Sequence, residues 1–121
     1  MKKLIILIFT ISININVFAQ ANIAAARALG VGSTVTITGV VTNGDELGPI
    51  RYIEDSSAGM ALYDPTVLAS LVRGDEVTVT GELVDYNGLM EMQPVNSSVV
   101  NSSANSVTPL LITPLQIGET T

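Results

Sequence analysis

No histidine, cysteine or tryptophan occurs among the 121 residues. Without an imidazole, serines such as Ser33, Ser56 and Ser57 lack the usual base that turns a hydroxyl into a nucleophile. Without cysteine there is no disulfide, no thiolate and no lipidated N-terminal residue, and zinc sites built from His and Cys are excluded. The only lysines are Lys2 and Lys3. No glycine loop of the Walker type is present to cradle a phosphate. Carboxylates are the remaining chemical currency, and they are badly placed for acid–base work. Glu54 and Asp55 are neighbours on a predicted strand and point to opposite sides. Asp45-Glu46 and Asp75-Glu76 fall in predicted turns and read as solvated charge. No D-x-D-x-D-G loop supports a calcium site. The expectation is a chain with no catalytic residue, no metal site and no cofactor.

The first 19 residues have their own pattern. Met1-Lys2-Lys3 is a charged start, and Leu4 to Phe18 is an apolar run broken by Ser12, Asn14 and Asn16. Val17-Phe18-Ala19 then puts small residues where a signal peptidase cuts. The run is short for a membrane-spanning helix and carries polar residues in its second half. The reading is a bacterial, non-lipoprotein signal peptide over residues 1–19, a secreted or periplasmic product, and no stable membrane anchor. Removing it leaves three basic residues, Arg27, Arg51 and Arg73, against 11 acidic ones, a net charge of −8. That is a poor footprint for gripping a phosphate backbone by charge alone.

What is present is strand. Val35-Thr36-Ile37-Thr38-Gly39 returns as Val77-Thr78-Val79-Thr80-Gly81. Each copy is β-branched on both faces and follows a glycine turn. A glycine in such a strand marks a bulge or bend. Two bent strands in so short a chain predict a small closed barrel.

The chain in order fills in the rest. Asn22 caps a short helix over Ile23–Leu29, with Gly30 as its stop. A first strand runs from Thr34 to about Thr42, and the loop 43–49 is broken by glycines and a proline. The second strand, Ile50–Asp55, puts Ile53 inward and Tyr52 and Glu54 outward. The third, Met60–Tyr63, puts Met60 and Leu62 inward. Asp64-Pro65 opens a predicted helix with Val67, Leu68 and Leu71 on its apolar side, ending at Gly74. The fourth strand runs from Glu76 to about Val84. Asn87-Gly88 is a strong hairpin signal, because both central residues of a type I′ turn need positive φ. The fifth strand is Leu89–Met92, with both methionines inward. From Asn96 to Ser106 the sequence is polar and of low complexity, a loop or an irregular edge strand. Thr113-Pro114-Leu115-Gln116 has the form of a capping box, so a helix is expected to begin there and to be cut off at Thr121. The domain plan is therefore a signal peptide over 1–19, an OB-fold domain over 20–95, and a polar segment over 96–121 that leads into a downstream part of a longer protein.

This order predicts an all-β fold. It is a five-stranded OB-fold Greek-key barrel with a short helix between strands three and four and a short N-terminal helix. An ordered set of phrases carries a resemblance: Ile23–Leu29, Val35–Thr42, Tyr52-Ile53-Glu54-Asp55, Gly59–Asp64, Gly74–Gly81 and Tyr86-Asn87-Gly88. Together, over about residues 22–95, they resemble the YhcR-type OB-fold domain that accompanies exported bacterial nucleases, phosphoesterases and other multidomain proteins. The leader ending Val17-Phe18-Ala19-Gln20 is similar to leaders of exported Bacteroidota proteins. The resemblance implies a noncatalytic accessory that binds nucleic acid, with any catalysis in another domain.

The aromatic residues point to a binding face. Beyond the leader there are three, Tyr52, Tyr63 and Tyr86. Strand parity puts Tyr52 and Tyr63 on the outer face of strands two and three, where OB-folds receive ligands. Tyr86 borders that face. Tyrosines stack on bases, and equally on sugar rings. Arg51 and Asn87 are candidates for polar contacts beside them. Three readings follow: a single-stranded nucleic-acid binder, an oligosaccharide binder on the same face, or a module that positions a neighbouring domain of the same polypeptide.

Overall fold

The computed structural model describes residues 20–112. The expected leader and the helix expected from Thr113 lie outside the described residues. Helix α1 (Ile23–Ala28) is followed by five strands: β1 (Thr34–Val41), β2 (Ile50–Glu54), β3 (Gly59–Tyr63), β4 (Glu76–Tyr86) and β5 (Leu89–Ser102). They close in the order β1-β2-β3-β5-β4. All neighbours are antiparallel except β3 and β5, which are parallel. This is an OB-fold barrel.

The two repeated phrases lie against each other. In the β1–β4 register Val35 faces Gly81, Ile37 faces Val79, and Gly39 faces Val77. Each glycine therefore sits opposite the first valine of the other copy. The valines and Ile37 are buried in the barrel core. The threonines between them do more than form strand. Thr36 and Thr80 share a hydroxyl hydrogen bond of 2.8 Å, and Thr38 and Thr78 one of 2.7 Å. Such cross-strand pairs tie the register on the outer face. The β4–β5 ladder slips around Gly81. A Cβ there would meet the Pro94 carbonyl oxygen, and the Met92 side chain at 2.6 Å. The missing side chain is what lets β4 bend across β5.

Two pieces of chain plug the barrel. Ile23 and Ala26 of α1 are fully buried. The first three N–H groups of the helix are all satisfied: Ile23 by Asp55 at 2.8 Å, Ala24 by the Ser57 hydroxyl at 3.0 Å, and Ala25 by the Asn22 side chain at 2.8 Å. The second plug corrects an expectation. Residues 65–70 form consecutive turns, and no helix lies between Asp64 and Gly74. Asp64 does cap, accepting from the Thr66 and Val67 N–H groups. The bonds that follow then close three-residue turns, Ala69 to Thr66 and Leu71 to Leu68. Thr66 and Val67 are β-branched, which disfavours the helical turn that Asp64 would cap. Leu68 and Leu71 are buried all the same, so the packing role survives without the helix.

Strand β5 is longer than Leu89–Met92. It continues past residue 95 to Ser102, pairing Ser97 with Thr80 and Ser102 with Glu76. The polar stretch from Asn96 is an edge strand in its first half, and the barrel extends beyond 95. The segment after it is tied down by Asn105, whose N–H donates to the Gly74 carbonyl. Asp75, expected in solvent, is buried and accepts from the Val72 N–H and the Ser103 hydroxyl.

Candidate nucleic-acid interface

One cleft of about 270 Å³ opens on the outer face of β2, β3 and β5. Its walls follow from strand parity. Tyr52 and Ile50 come from β2, Ala61 and Tyr63 from β3, Leu89, Glu91 and Gln93 from β5, and Tyr86 from the end of β4. The register brings them together. Tyr52 faces Ala61, Ala61 faces Glu91, and Tyr86 faces Leu89. The three tyrosines thus meet around one depression. Tyr52 is 38% exposed and Tyr86 59%, which leaves ring surface open to a ligand.

The positions of these rings are set by the backbone beneath them. Asn43, buried in the β1–β2 connection, accepts from the Tyr52 N–H at 2.7 Å and donates to the Ile50 carbonyl at 3.0 Å. The Tyr52 carbonyl accepts from the Thr42 N–H at 2.9 Å. Tyr52 is therefore held on both sides of its peptide. Tyr86 is carried by the β4–β5 turn, where Asn87 and Gly88 have φ of 54° and 88°. The Asp85 carboxylate accepts from the Gly88 N–H and closes that turn.

Two of the expected polar contacts do not join the cleft. Arg51 is 2% exposed and lies on the inward side of β2. Its guanidinium donates to the carbonyls of Leu71, Gly48 and Ile50 at 3.0, 2.7 and 2.9 Å. The parity that turns Tyr52 outward necessarily turns Arg51 inward. Asn87 sits at the turn beyond Tyr86, exposed, and is not part of the cleft wall.

The residue missed is Glu91. It is 5% exposed and lines the cleft. Burial pushes its carboxyl above the usual range, and no hydrogen-bond donor to it is found among the described residues. The signal was available: if Met90 and Met92 turn inward, Glu91 must share the outer face with the tyrosines. Met92 is fully buried, and Met90 packs against the core.

The cleft therefore offers aromatic faces, one carboxyl and one amide. Among the described residues, no Lys or Arg lines it, and no group of three His, Cys, Asp or Glu comes together to hold a metal. Such a surface can stack on a planar ring and accept or donate hydrogen bonds at the ring's edge.

The chain is 31% identical over 98 residues to endonuclease YhcR of Bacillus subtilis (strain 168). That alignment covers 74% of this chain and 8% of the endonuclease. The chain thus carries a domain related to one segment of a much longer protein. The structure of the hypothetical protein ygiW from E. coli shares the fold, with a TM-score of 0.57 at 15% identity over 68% of this chain and 89% of that one. No family model matches.

Proposed function

We propose that this domain is a noncatalytic, exported OB-fold module that binds single-stranded nucleic acid as an accessory of a longer protein. The observation that carries the reading is the convergence of Tyr52, Tyr63 and Tyr86 on one cleft of the OB ligand face. Base–tyrosine stacking contributes about 1–3 kcal/mol per base and tolerates any sequence. Relatedness to a segment of an endonuclease supports the same ligand class.

The test is fluorescence polarisation of labelled single-stranded oligonucleotides with residues 20–121 at low salt. Binding is expected, with Tyr52→Ala and Tyr63→Ala each weakening it by roughly 5- to 150-fold. The salt slope is expected to be shallow, because neither Lys nor Arg is among the described residues that line the cleft. Absence of binding at low salt sinks the proposal. A glycan-array signal in that case would move the ligand to an oligosaccharide stacked on the same rings.

A further inference from the structure

Glu91 is an unusual group to find in a nucleic-acid cleft. It repels phosphate, it is nearly buried, and no described residue donates to it. A carboxylate whose donors come only from cleft water exchanges them for a ligand's donors when the ligand presents two in matching geometry. Its oxygens are not sealed in, since no buried side-chain oxygen among the described residues lacks a partner. They remain reachable from the cleft. Its register partners are Val84 on β4 and Ala61 on β3; the small Ala61 side chain leaves the carboxyl open on the β3 side, where the cleft lies.

The chemistry of the four bases decides what fits. Guanine presents two adjacent, parallel donors, N1–H and N2–H, which a carboxylate accepts bidentately. Cytosine and adenine each offer an amino donor beside a ring-nitrogen acceptor, so one bond forms and one lone pair is opposed. Thymine and uracil present a single N–H between two carbonyl acceptors. We infer that the cleft selects guanine, with Glu91 accepting from its N1–H and N2–H while the tyrosines stack on the ring. Gln93, two residues along β5 on the same face, carries the amide that can donate to O6. The small cleft suits one base rather than a larger ligand. With no cation in its wall, the phosphates stay at the rim. This inference rests on the single-strand reading above.

The experiment uses labelled nine-mers: thymidine throughout, and the same strand with one central guanine, inosine, adenine or cytosine. The guanine strand is expected to bind more tightly than the all-thymidine strand by roughly 5- to 150-fold. Inosine, which lacks the N2 amino group, is expected to lose most of that advantage, and this arm needs no protein variant. Glu91→Gln, isosteric but with a donor in place of one acceptor, is expected to abolish the preference for the guanine strand over the inosine strand, with its fold certified by circular dichroism and a cooperative melting transition. Equal binding of all five strands by the unaltered protein overturns the guanine assignment and leaves the stacking site standing. Binding of none of them overturns both. Glu91-dependent binding of an acetylated arginine peptide with no oligonucleotide binding overturns the guanine assignment in favour of a cationic peptide.

Discussion

Asp55 gives a sharp test of how the barrel holds its helical plug. Its carboxylate accepts from the N–H groups of Ile23, Ser57 and Ala58 at 2.8, 2.7 and 3.0 Å, and from the Ser57 hydroxyl at 2.6 Å. One side chain thus closes the β2–β3 turn and satisfies the first N–H of α1. Burial pushes its pKa up, but the Ser57 hydroxyl and the three N–H groups outweigh that and bring it from 3.8 to about 2. The folded pKa is depressed, so the stabilisation is present above the unfolded value and is lost as pH falls through about 2. The gap between the two values sets a ceiling of about 2.4 kcal/mol. Because Asp55 is partly exposed, screening reduces this to roughly 1–2 kcal/mol. Asp55→Asn keeps one acceptor and loses the charge. It is expected to lower the melting temperature at pH 7 by about 5–12 °C for a domain of this size. Urea unfolding of both proteins at pH 7, 4 and 2 checks the origin. Most of the difference should survive at pH 4, and most of it should be lost at pH 2. A difference that is undiminished at pH 2, or absent at pH 7, refutes the carboxylate as the source.

Two other substitutions separate frame from site. Gly81→Ala puts a methyl group against the Pro94 carbonyl and the Met92 side chain, and should destabilise the fold by about 1–3 kcal/mol in urea unfolding. Arg51→Met strands the carbonyl of buried Leu71 and removes the donor to the Gly48 carbonyl, and should lower stability by about 2–4 kcal/mol. It should leave oligonucleotide affinity, measured well below the melting transition, within about twofold, since the guanidinium points away from the cleft.

The barrel was legible because its signals are local and repeated. The V-x-V-x-G phrase, the Asn87-Gly88 turn and the alternation in β2 and β3 each state a geometry on their own. What was not legible depended on partners far along the chain. Asp55 looks like a strand-end charge until α1 is brought over it from 32 residues away. The polar run 96–102 has no hydrophobic alternation to announce a strand, and its strand character comes from backbone pairing with β4. The helix expected at 64–73 failed for a different reason. Its capping residue and buried leucines are compatible with turns as well as with helix, and the β-branched pair Thr66-Val67 tips the balance. In the site, parity turns Tyr52 and Tyr63 to the outer face, while Tyr86, expected in the loop after β4, is the last residue of that strand. The same rule excludes Arg51 and includes Glu91.

The arginines also bear on how such a domain would hold a polyanion. Arg27 donates to the Gly59 carbonyl, Arg51 to three carbonyls, and Arg73 to the Thr42 carbonyl at 2.8 Å. Each guanidinium braces the barrel's own backbone and none of the three lines the cleft, so no positive charge is gathered there to attract phosphate. On the proposed reading, affinity then comes from stacking on a few rings and from one edge-reading carboxyl, and the isolated domain binds weakly. Weak binding suffices if the domain is tethered. Joined to a second nucleic-acid-engaging domain, it meets its strand at an effective concentration on the order of millimolar. A base-reading module with little charge adds selectivity there without adding the nonspecific grip on phosphate that would slow release.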